Sequence, residues 1–148
     1  MKNFFTSTSN PLNRDLGLLI IRLMIGILMA CFGYEKLIHF SEMAASEFWT
    51  KNVSFLGMSG KFPLALTIFA EFVCSLTLIL GFMTRFSLLI LMFCMGYIFL
   101  VIFPGSIVGI EKNGAEFNPA FTYFIIYLGL LFTGPGHYSL DYKLFTKI

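Results

Sequence analysis

Residues 16–38 read LGLLIIRLMIGILMACFGYEKLI, an apolar run of about 23 residues, enough to cross a bilayer as one helix. Arg22 interrupts it about six residues in, roughly 9 Å deep at the helical rise of 1.5 Å per residue. An arginine at that depth seldom faces lipid, so it needs a partner. Arg22, Gly26, Met29, Gly33 and Lys36 recur at steps of three and four, which puts them on one helical face. That face joins two basic groups to glycines beside which a backbone or a ligand can approach.

Three further apolar runs follow, at 62–83, 86–103 and 117–133. With 57% hydrophobic residues, 12% charged residues and a mean hydropathy of +0.84, the 148-residue chain has too little polar surface to coat a soluble globule. The expected fold is all-α: an integral membrane four-helix up-down bundle, one unit over 1–148, with the lipid bilayer as its first partner. A net charge of +2 spread over ten scattered bases leaves no nucleic-acid footprint. Cys31, Cys74 and Cys94 fall inside apolar runs with no C-x-x-C spacing, and read as buried free thiols without an activating base.

The lead at 1–15 is polar and broken by Asn10-Pro11. A cleaved signal peptide fits the next run poorly, because Arg22 interrupts it and no A-x-A-like site ends it. Residues 39–61 form the longest polar interval, either an interfacial helix and loop across one mouth of the bundle or an ordinary aqueous loop. Ser41 would cap its helix, and Trp49 suits the headgroup region. The second span carries Glu71 near its middle, about 18 Å from residue 83, with Thr67, Ser75 and Leu78 on the same face. The short Thr84-Arg85 turn makes the second and third spans antiparallel neighbours. The third span bears Cys94 and Tyr97 as polar marks and closes at Pro104-Gly105. After a short loop at 105–116, the fourth span barely reaches across, with Tyr123 and Tyr127 on one face. The tail at 134–148 opens on a turn-rich cassette in which Ser139 or Asp141 can cap a last short segment.

Four spans put both termini on one side, with Lys2, Arg14, Arg85, Lys143 and Lys147 there against Lys51, Lys61 and Lys112 opposite. The positive-inside rule then makes both termini cytoplasmic.

Arg22 and Glu71 lie on adjacent antiparallel helices at depths about 9 Å apart, a gap that two long side chains, a water or a ligand can close. Lys36 approaches Glu71 from the other side, which makes Glu71 a hub between two bases. One reading is a charge pair that only sets helix register. The other is a ligand pocket formed by Arg22, Lys36, Glu71, Gly26 and Gly33, with Tyr97 and Tyr127 as donors to a quinone carbonyl. No zinc, P-loop or dinucleotide motif is present, and His39 and His137 stand in isolated contexts that give no metal-ligand pattern.

Three segments together resemble the DoxX family of small membrane proteins: RLMIG at 22–26 with Gly33-x-x-Lys36, Ala70-Glu71 leading to LGFMTR at 80–85, and GPGHYSLD at 134–141. The resemblance implies a four-helix bundle of the bacterial inner membrane. It marks Arg22, Lys36, Glu71 and Arg85 as charged family positions, and Gly134, Pro135, Gly136, Ser139 and Asp141 as a structural motif. Relatives include DoxD-type subunits of thiosulfate:quinone oxidoreductase, so the leading expectation is a redox-associated subunit that binds quinone or a small sulfur compound. No flavin, haem or iron–sulfur motif appears, so any oxidoreductase activity belongs to a complex with a redox partner subunit, or to a homo-oligomer. The rival is a non-catalytic scaffold whose charges lock the bundle and whose cassette docks a partner. A small-molecule transporter comes third. The third span lacks the histidine that many relatives carry near its far end, with Tyr97 and Phe99 the nearest candidates.

Overall fold

The computed structural model describes residues 13–103, 108–111 and 114–145, with backbone alone for 108–111, 114–117 and Phe145. The lead at 1–12, the Pro104-Gly105 stop and the bases Lys2, Lys112 and Lys147 lie outside the described residues.

Helix α1, Arg14–Ile38, begins where the Asn13 side chain accepts the Leu16 amide at 3.0 Å, with Asp15 in its first turn and Lys36 in its last. The second apolar run is one rod in three parts: α3, Lys61–Ile68; a π-helical turn, Phe69–Val73; and α4, Cys74–Leu80. It stops at Gly81, whose left-handed φ of +68° lets the Phe82 amide return to the Thr77 carbonyl. Helix α5, Thr84–Tyr97, comes at once and continues into a π-helical turn, Ile98–Ile102. Helix α6, Pro119–Thr133, is capped by Asn118 and opens on proline.

Three helical rods, Arg14–Ile38, Lys61–Leu80 and Thr84–Ile102, are long and apolar enough to cross a membrane, whereas α6 is apolar but has only 15 residues. The all-α membrane architecture expected from the chain is what is found. Helix α1 packs on α4 and the Phe69–Val73 turn, and α5 packs on α4 and α6. Leu78, Leu88, Leu91, Met95 and Tyr127 fill the core, while Met24, Phe86, Phe93 and Phe132 turn outward as a lipid-facing surface would.

The interval between the first two rods is more structured than its composition suggested. Helix α2, Phe40–Ala45, leads into a π-helical turn, Phe48–Asn52, and then a two-stranded hairpin of β1, Ser54–Phe55, and β2, Met58–Ser59. Ser41 does not cap α2: His39 holds that position with no side-chain bond. Nor does Trp49 point to headgroups. It is buried with Ala44, Val53, Leu64 and Ile68 in a second apolar cluster that clamps the segment onto α3. Another antiparallel pair, β3, Val108–Glu111, and β4, Gly114–Phe117, lies where a plain loop was expected. The last described element is α7, Leu140–Phe145.

Candidate functional site

The α1 stripe is buried from Arg22 to Gly33 and half-buried at Lys36, and its two cations go to different places. At one end, the Arg22 guanidinium is 2% exposed and donates to two backbone carbonyls of the terminal cassette, Pro135 at 2.5 Å and Tyr138 at 2.9 Å. No carboxylate among the described residues forms an ion pair with it. The expected Arg22–Glu71 pairing is therefore corrected: the long side chain reaches toward the end of the bundle instead of inward, and carbonyl dipoles take the place of a counter-charge. The cassette itself is tied to three helices. Asp15 accepts the His137 amide at 3.1 Å and faces its Nδ1 at 2.7 Å. The Asp141 amide donates to the Gly81 carbonyl at 2.9 Å. The two Asp141 oxygens accept the Met83 and Thr84 amides at 2.7 and 2.8 Å, which caps α5, not α7. Ser139 caps α7 through the Tyr142 amide at 3.1 Å. Gly134 and Gly136 take the positive φ values the turn needs. Gly81 is required for space as well: a Cβ there would lie 2.7 Å from Ser139 Cβ and 2.9 Å from the Arg22 guanidinium.

At the other end, Lys36 is paired with Glu71, whose side chain is 4% exposed against 20% for the lysine. Between the two ends the glycines admit a helix, not a ligand. A Cβ on Gly33 would sit 2.5 Å from the Phe72 amide nitrogen, so α1 and the second rod meet backbone to backbone beside Glu71. A Cβ on Gly26 would meet the Ile79 side chain at 2.6 Å. The room foreseen beside Arg22 is thus filled by packing.

Lys36 and Glu71 form one edge of a cavity of about 480 Å³ whose other walls are Trp49, Phe55, Thr67, Phe93, Cys94, Tyr97 and Ile98, among others. All three π-helical turns of the described residues contribute to this wall: Phe48 and Trp49 from the first, Phe69, Ala70 and Glu71 from the second, Ile98 and Ile102 from the third. A π turn inserts a residue into the helical ladder and re-aims the side chains beyond it, and such turns are frequent at functional sites. Nothing in residue spacing announces them, which is why the places of Trp49, Phe48 and Ile98 in this wall were not foreseen. Tyr97 lines the cavity, with its hydroxyl donating to the Ser54 carbonyl, so it fastens the β1–β2 hairpin across the mouth. Of the anticipated ligand contacts, the structure brings together Lys36, Glu71 and Tyr97. Arg22, Gly26 and Gly33 are spent on packing. Arg85 is exposed at the opposite mouth, and Tyr127 is buried in the core, its ring 6.2 Å from that of Tyr123.

The fold and its polar groups define the class first: a small all-α integral membrane protein with a lysine–glutamate pair between its helices. Residues 17–104, more than half of the chain, match the DoxX family, and the chain belongs to it. No curated protein and no solved structure matches the chain.

Proposed function

We propose that the Lys36–Glu71 cavity binds a flat, largely apolar ring bearing carbonyl oxygens, a quinone being the natural case, and that the protein serves as a redox-associated subunit of the bacterial inner membrane. The observation that carries this is the cavity wall, aromatic and aliphatic almost throughout, with the Lys36 ammonium as the donor at its edge. Ligand sites of this kind are apolar with a few placed polar groups. A small sulfur oxyanion would leave most of that wall unfilled, so the ring is preferred over thiosulfate. Lys36 would donate to a ring carbonyl, and Glu71 would hold the lysine charged and take part in moving a proton when the ring is reduced. Electrons would come from a partner subunit. The reading also takes α6 as a fourth, short span and both termini as cytoplasmic. The scaffold alternative draws support from one fact, that Lys36 and Glu71 already satisfy each other.

Trp49 is the single tryptophan of the chain and lines the cavity. Titration of the detergent-solubilised protein with a short-chain naphthoquinone is expected to quench its fluorescence saturably, and Thr67→Phe, which adds bulk beside the pair, to weaken binding at least tenfold with circular dichroism unchanged. Linear quenching that is the same in both proteins would return the pair to a structural role. Protection by thiosulfate instead would shift the reading to a sulfur compound.

A further inference from the structure

The mouth opposite the quinone-type cavity holds charge that nothing in the fold consumes. The start of α1, the turn between α4 and α5 and the terminal cassette enclose a hollow of about 630 Å³. Its acids are occupied: Asp15 by the amide and Nδ1 of His137, Asp141 by the Met83 and Thr84 amides. Its arginines are not. Arg14 gives one donor to the Thr133 carbonyl at 3.2 Å, and Arg85 makes no hydrogen bond or ion pair among the described residues. Both line the hollow where the rods Arg14–Ile38 and Thr84–Ile102 begin, the level at which membrane-crossing helices meet headgroups. Beside them Met83 and Phe86 are 48% and 57% exposed, an apolar flank for a chain lying along the helices.

We propose that this hollow is a binding site for an anionic phospholipid, its phosphodiester held between Arg14 and Arg85 and its acyl chain against Met83 and Phe86. Guanidinium groups bind phosphate oxygens in a bidentate fork, and basic pockets between membrane helices take up anionic headgroups. A free phosphate offers the same oxyanion, but the adjoining apolar flank selects the lipid. The site is separate from the ring cavity, so either assignment can fail without the other.

The test is lipid retention by native mass spectrometry of the full chain in detergent, with phosphatidylglycerol, phosphatidylcholine or inorganic phosphate added at equal concentration. Wild type is expected to keep phosphatidylglycerol and shed phosphatidylcholine. Arg85→Gln, which breaks no hydrogen bond or ion pair within the described residues, should weaken retention about fivefold, the fold-change of one basic residue near a membrane surface. Arg14→Gln should add to that loss, and Lys51→Gln at the other mouth should leave retention unchanged. Equal retention of both lipids, or undiminished retention by Arg85→Gln, overturns the proposal. So does a loss of the same size in Lys51→Gln. Inorganic phosphate that displaces the lipid and protects the fold as well as it does would assign the site to a soluble anion and overturn it too.

Discussion

The two cations of the α1 stripe have the same setting in the sequence and opposite fates in the fold. Arg22 is closed in by carbonyls, with its space taken by Gly81 and Ser139. Lys36 has one carboxylate partner and an apolar cavity beside it. A guanidinium presents its donors in a rigid planar fork, and two of its nitrogens here hold backbone carbonyls of the cassette, so it makes a good clasp. An ammonium on a flexible stem, held by a single carboxylate, keeps a charge that a ligand can use. A shared helical face marked both residues, but the type of partner separates clasp from site.

The contrast can be broken most severely at the pair. Lys36→Met leaves the buried Glu71 carboxylate without its partner and is expected to destabilise the bundle by about 3–5 kcal/mol, the usual consequence of orphaning one member of a buried pair. The double change Lys36→Met with Glu71→Met removes both charges and should recover most of that stability, as read by thermal unfolding in detergent, while quinone quenching stays lost. Full recovery of binding in the double variant would erase the distinction between the two ends.

Arg22→Gln comes next, because it keeps some hydrogen-bonding capacity while removing the fork. A loss of about 2–3 kcal/mol is expected, in line with charge-assisted bonds to two carbonyls. Limited proteolysis should show it as easier cleavage in 134–145, with ring binding within twofold of wild type. A binding defect as large as the stability defect would join Arg22 to the site after all. The smallest effect belongs to Tyr97→Phe, which removes one hydrogen bond to the hairpin and should cost about 1 kcal/mol. Hydrogen exchange is expected to quicken at 54–59 and not in the cassette.

Much of the architecture was readable before any coordinates. The runs at 16–38, 62–83 and 86–103 correspond to the rods Arg14–Ile38, Lys61–Leu80 and Thr84–Ile102 within a few residues, since apolar length is a local property that lipid reads directly. The polar stripe of the second span was legible too, with Glu71, Ser75 and Leu78 all buried. What failed was the pairing. Matching Arg22 to Glu71 by depth assumed that a buried cation seeks an anion, whereas 113 residues away along the chain the Pro135 carbonyl was within reach. Spacing offers Ser139 or Asp141 as the cap of α7, and does not show that Ser139 takes it while Asp141 goes to α5. Partners set by distant chain segments leave no periodic trace.

By itself, then, the sequence determined that this chain is a helical membrane protein with ionisable groups on two facing stripes, because burial in hydrocarbon demands apolar length and internally satisfied backbones. Only the tertiary structure decided that Arg22 locks the terminal cassette while Lys36 and Glu71 edge a cavity built by three π-helical turns. Those turns bring residues from three separate stretches of the chain to one wall. Such a wall is set by contacts between segments far apart in the chain, which leave no local pattern.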